Sequence, residues 1–142
     1  MYFYKMAIEE IEKEIIEEFE LFGDDWESKY EHLIDLGKDL PKIKDEFKTE
    51  NNLIKGCQSR VWLHSEMLGE TVVFTADSDA IITKGMVALM VRVLSHQKPS
   101  DILKTDLNFI NKIGLTEHLS PTRANGLVSM ITQMKLAANT FL

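Results

Sequence analysis

The sequence predicts an α+β domain: a small antiparallel sheet of about three strands with helices packed on one face. Three observations lead there. Apolar residues recur every three or four positions near the start of the chain, as on one face of a helix. Short β-branched and aromatic runs separated by a glycine follow near the middle. An almost continuous apolar stretch, too long for a typical buried strand, comes next. At 142 residues the chain corresponds to one domain, 1–142, and can bury a single core.

Residues 5–22 form the first expected helix, with Ile8, Ile11, Ile15, Phe19 and Phe22 as its stripe and glutamates opposite. Gly23 ends it, and Asp24 or Asp25 caps a second helix with the stripe Trp26, Tyr30, Leu33 and Ile34. Gly37 is the expected left-handed terminator, followed by Leu40-Pro41 as a stop. Residues 42–52 read as a polar, extended connection anchored by Ile43 and Phe47. Val61–Met67 and Thr71–Thr75 form a hairpin around Leu68-Gly69-Glu70, and Leu53-Ile54 supplies a short third strand. Residues 80–95 are the enclosed helix, with Gly85 kept for close packing and Asp77-Ser78-Asp79 as its cap. Ser100 and Asp106 cap two short helical pieces, and Ser120-Pro121 opens the last helix, whose stripe is Leu127, Ile131 and Met134.

Seven glutamates and two lysines fall between residues 5 and 22, so this segment holds −5 of the net charge of −7. The acidity is one solvated helix face, which disfavours non-specific binding of nucleic acid and leaves a basic protein partner open. No apolar run approaches a membrane span, and the start turns acidic by Glu9 before a secretion core forms. These features point to a cytoplasmic protein. The four histidines are scattered without ligand spacing, so no metal site is expected, and one cysteine excludes an internal disulfide and a multi-thiolate zinc site.

That cysteine, Cys57, sits in Lys55-Gly56-Cys57-Gln58-Ser59-Arg60 between two strand signals, hence on a loop. Gly56 allows backbone angles closed to other residues. Lys55 and Arg60 flank the thiol and would favour the nucleophilic thiolate, while Gln58 and Ser59 offer donors to a sulfur anion or to the loop itself. The bland alternative is a buried small hydrophobe. Local features alone do not separate a sulfur carrier from a thiol peptidase, a reductase or a redox sensor.

Gly56-Cys57-Gln58-Ser59-Arg60-Val61-Trp62-Leu63 resembles the signature of the SufE family of sulfur acceptors, which includes the CsdE proteins. Three further blocks resemble it in the family's order. They are Asp25–Tyr30 with Leu33–Gly37 and Leu40-Pro41, Asp77–Ala80 leading to Lys84-Gly85, and His118–Arg123 with Gly126-Leu127. Together the blocks span about residues 24–135. The resemblance implies an α+β fold like the IscU-type scaffold, with Cys57 at a loop tip. It implies that a pyridoxal-phosphate-dependent cysteine desulfurase (SufS- or CsdA-like) passes persulfide sulfur to Cys57, and that the sulfur moves on to a SufB-containing iron–sulfur scaffold. The protein would then be a carrier and activator without cofactor or turnover of its own. Arg123 matches a position that contacts the desulfurase, and Asp79 lies in a segment near the cysteine loop with a contact role. The family's resting cysteine is tucked into a pocket, for which Val61, Trp62 and the enclosed helix are the candidates here. The alternative, a cysteine-dependent redox or hydrolytic enzyme, requires a base such as His32, His64 or His118 beside Cys57.

Overall fold

The computed structural model describes residues 6–142. The expected helix start at Lys5 and the opening Met1–Tyr4 lie outside the described residues. Helix α1 (Ile8–Glu20) buries Ile8, Ile11, Ile15 and Phe19, four of the five expected stripe residues, while Phe22 falls in the turn beyond the helix and is half-buried. Helix α2 (Trp26–Lys38) is capped by Asp25, whose carboxylate accepts from the Ser28 amide at 3.2 Å and the Ser28 hydroxyl at 2.7 Å. Gly37 does not terminate it in a left-handed conformation. It lies inside the helix, where an added Cβ would stand 2.9 Å from the Gly85 nitrogen, so its absent side chain lets two helices touch.

The sheet has two strands, β1 (Val61–Leu68) and β2 (Thr71–Ser78), antiparallel with Val61 opposite Ser78 and Leu68 opposite Thr71. Leu53-Ile54 adds one bridge to Trp62, with the Ile54 amide donating to the Val61 carbonyl at 2.8 Å, rather than a third strand. The reason is local: Glu50–Asn52 curl into a 3-10 turn before it, and Gly56, at φ +92°, turns the chain away just after. The 42–52 connection is not simply extended, because Asp45–Phe47 makes another 3-10 turn. Phe47 stacks on His64 with ring centroids 3.5 Å apart, and the Lys48 ammonium lies 4.6 Å from the Trp62 ring centre. This segment covers the outer face of β1, and Trp62 is on that face, half-buried, instead of in the core. Trp26 likewise packs at the core's edge, stacked on His118.

Helix α3 (Ile81–Leu94) crosses the inner face of the sheet and is the centre of the core, with Met86, Leu89, Met90, Val93 and Leu94 at most 1% exposed. Asp77-Ser78-Asp79 does not cap it. Strand β2 runs on through Ser78, and the helix starts after Ala80 with no side-chain cap. Lys84 reaches the Asp77 carboxylate at 3.2 Å, and Lys48 meets the same carboxylate at 3.2 Å. Burial works to raise the pKa of Asp77, but the Ser78 amide and the two lysines outweigh it and hold the carboxyl below the usual aspartate range.

Three short helices follow: α4 (Pro99–Lys104), α5 (Phe109–Lys112) and α6 (Leu115–His118). Neither Ser100 nor Asp106 caps them. Ser100 falls within α4, and the amide of Phe109 is taken by the Glu12 carboxylate from α1 at 3.1 Å. The final helix α7 (Pro121–Thr140) begins as expected, with the Ser120 hydroxyl accepting from the Arg123 amide at 3.2 Å. It buries Leu127, Met130, Met134 and Ala138, while Ile131 is only partly covered. Among the described residues no helix is long and apolar enough to cross a membrane.

Candidate functional site

The 55–60 loop leaves the bridge at Ile54 and is stitched down where it returns to β1. The Arg60 amide donates to the Asp79 carboxylate at 3.1 Å, and the Asp79 amide donates to the Arg60 carbonyl at 3.3 Å. The buried Ser78 hydroxyl donates to the same carbonyl at 2.8 Å. Asp79 and Ser78 therefore anchor the exit of the loop. With the Ile54–Val61 bond at the other end, residues 55–59 are the free span. Gly56 is needed twice within it: its φ is positive, and a Cβ would collide with the Ser129 hydroxyl on α7.

Cys57, the chain's single thiol, is partly buried, and its Sγ donates to the Gly126 carbonyl of α7 at 3.5 Å. A Cβ on Gly126 would stand 3.6 Å from that sulfur, in ordinary van der Waals contact, so the thiol packs directly against the helix backbone. Burial pushes the Cys57 thiol above its ordinary range. The expected activation by Lys55 and Arg60 is absent at rest: both side chains are exposed, and no positive charge offsets the burial.

An open cavity of about 300 Å³ lies beside the sulfur. Cys57, Gln58 and Ser59 form its loop wall, Thr83 and Met86 come from α3, and Ser120, Thr122, Arg123, Gly126 and Met130 form the wall at the start of α7. Val61 and Trp62 are not part of it, contrary to expectation. Val61 is fully buried in the core and Trp62 faces the opposite side of the sheet, because successive strand residues alternate. The Arg123 side chain is exposed on the rim and makes no ion pair or hydrogen bond among the described residues. Gly56 and Asp79 do not line the cavity; they shape and hold the loop.

The α7 wall is set by a second cluster. Trp26 stacks on His118 at 3.8 Å, the Tyr30 hydroxyl donates to the His118 carbonyl, and His118 Nδ1 meets the Gly114 carbonyl at 2.9 Å. This fastens the chain just before Ser120 onto α2. His32 pairs with Glu18, and His64 lies under Phe47. No histidine lines the Cys57 cavity, so a redox or hydrolytic reading has no imidazole base in place among the described residues. No group of three His, Cys, Asp or Glu side chains is gathered for a metal among them.

Thr83, Met86 and Met130 are site residues that sequence reasoning passed over, and Thr122 and Gly126 stood there only as part of a family motif. Thr83 had one signal, as a polar residue in a helix that is otherwise almost wholly apolar. The cavity faces of Met86 and Met130 have no sequence signature distinct from core packing.

Comparison with known proteins agrees with the geometry. A solution structure of a hypothetical protein from Thermus thermophilus shares the fold with a TM-score of 0.74 at 20% identity, covering 92% of this chain and 94% of that one. An uncharacterized SufE-like protein of Rhizobium meliloti is 42% identical over 130 residues, covering 88% of this chain and 92% of the relative. A SufE-like protein of Rhizobium etli is 40% identical over 127 residues, covering 86% and 85%. The SufE family, described as an Fe–S metabolism associated domain, matches residues 13–138, which include the cysteine loop, the enclosed helix and most of α7. The chain belongs to the SufE family, and its role lies in iron–sulfur metabolism.

Proposed function

We propose that the protein accepts sulfur on Cys57 from a pyridoxal-phosphate-dependent cysteine desulfurase, and in doing so speeds that enzyme, before passing the sulfur to an iron–sulfur scaffold in the cytoplasm. The observation that carries this reading is the placement of the chain's single thiol: on a short loop held at both ends, beside an open cavity. A carrier needs such a thiol, and a second nearby cysteine would expel the cargo by forming a disulfide.

The transfer is an exchange at sulfur. The Cys57 thiolate forms a bond to the outer sulfur of the desulfurase persulfide while the bond between the donor's two sulfurs breaks. The donor leaves as a thiolate and there is no net oxidation. At rest Cys57 is protonated and bonded to Gly126, so the partner must draw the 55–59 span outward and the thiol proton must pass to solvent or to a partner base. Arg123 and Asp79 contact the desulfurase, Arg123 through its exposed guanidinium. Gln58 and Ser59 donate to the sulfur anion or keep the loop's shape. The protein acts as acceptor substrate, and the SufS- or CsdA-like desulfurase and the SufB-containing scaffold are its partners.

The test is incubation with a cysteine desulfurase and cysteine, followed by intact mass without reductant. One added sulfur on Cys57 and faster cysteine turnover are expected, with both lost in Cys57→Ala. The absence of both added sulfur on Cys57 and stimulation would overturn the reading.

A further inference from the structure

We infer that the hydroxyl of Thr83 is the hydrogen-bond donor for the outer sulfur of a Cys57 persulfide, so that the cavity favours the loaded protein over the empty one. This rests on the sulfur-acceptor reading and adds the residue that holds the cargo. Thr83 sits at the third position of α3, is 6% exposed, and lines the same cavity as the cysteine loop. Its hydroxyl makes no hydrogen bond to any described residue, not even to the carbonyl one turn earlier that a helical threonine commonly uses. It is not sealed off either. The one fully enclosed side-chain polar atom without a hydrogen-bond partner among the described residues is His64 Nε2, so the Thr83 oxygen is not fully enclosed. A hydroxyl that no protein group partners contributes no intramolecular hydrogen bond to the fold, and valine would fill the same volume in this apolar helix.

The resting thiol and a persulfide make opposite demands on the cavity. The thiol has a proton and gives it to the Gly126 carbonyl. A persulfide places its charge on a sulfur about 2 Å further out, has no proton to give that carbonyl, and needs a donor instead. Gln58, Ser120, Thr122 and Arg123 are exposed, and Ser59 is only half-buried. Thr83 is the buried donor, where a hydrogen bond to an anion is strongest.

Loading Cys57 from inorganic polysulfide tests this without a desulfurase: the Cys57 thiolate takes one sulfur and the polysulfide leaves one atom shorter. Wild type, Thr83→Val and Thr83→Ser are then compared for the pH midpoint of persulfide ionisation, followed by its ultraviolet absorbance, and for cargo lifetime at neutral pH. Expected are a raised midpoint and a roughly tenfold shorter lifetime in Thr83→Val, wild-type values within about twofold in Thr83→Ser, and the same free-thiol alkylation profile in all three. Thr83→Val matching wild type in midpoint and lifetime would overturn the inference. Should Thr83→Val not fold, Thr83→Ala against Thr83→Ser makes the same comparison. Failure of a desulfurase to load Cys57 is a separate result, and it bears on the acceptor reading alone.

Discussion

The Cys57 sulfur donates to the Gly126 carbonyl across 3.5 Å, joining residues 69 positions apart. Through that bond the reactive group of the loop is held against the side of α7, half-buried and with its proton in place.

The free protein should therefore be a slow nucleophile. Burial raises the thiol's pKa, so the rate of iodoacetamide alkylation plotted against pH should have its midpoint above the usual cysteine value of about 8.5. A midpoint at or below that value would show that the flanking bases activate the thiol after all.

Gly56→Ala should free the loop while leaving the domain folded. The positive φ costs an alanine about 1–2 kcal/mol, and its methyl group meets Ser129. Faster alkylation of Cys57, with a thermal midpoint lowered by a few degrees, is the expected pair of results in a chain of this size, at about 2–4 °C per kcal/mol. Unchanged alkylation would mean that Gly56 does not govern exposure of the thiol.

Gly85→Ala should be far more damaging than its size suggests. The new Cβ would overlap the Leu33 carbonyl, which is backbone and cannot rotate away. Helices α2 and α3 would have to separate, for a loss of about 3 kcal/mol, at the upper end of overpacking costs. Urea denaturation measures this, and a loss below about 1 kcal/mol would contradict the close approach of the two helices.

Glu18 of α1 is held below the usual glutamate range chiefly by its hydrogen bonds from Arg92, which also approaches Glu14. A depressed carboxylate stabilises the fold above its unfolded pKa, and the contribution fades as pH falls through the folded value. The pair is about one-third exposed, so Glu18→Gln should cost only about 1 kcal/mol at pH 7. Wild type and variant should converge as the pH drops below about 4. A gap that persisted at low pH would assign the effect to packing instead of charge.

Much of this architecture was legible from local pattern. The stripe of α1, the hairpin, the enclosed helix, the Asp25 and Ser120 caps and the loop position of Cys57 follow from spacing, β-branching and capping chemistry. All of these act within a few residues of chain. The errors share a different cause. Gly37 looks like a helix terminator until Gly85 is found against it. Asp77-Ser78-Asp79 looks like a cap until Lys48, Lys84 and Arg60 claim its polar groups. Trp62 looks like a wall of the cysteine pocket until it is found on the other face of β1 with Lys48 over it.

The same division holds at the cavity. A single cysteine between a glycine and a glutamine can be read from the chain alone, and so can its family likeness. Whether that thiol is ionised cannot, because burial is decided by α7 arriving from 69 positions away, and the two basic neighbours that sequence proximity suggested do not offset it. Thr83 and Met86 from α3, and Arg123 and Met130 from α7, become walls of one site only when the two helices pack beside the loop. Short-range order is encoded in neighbouring residues; long-range contact and the electrostatics that depend on it exist only after the chain has closed.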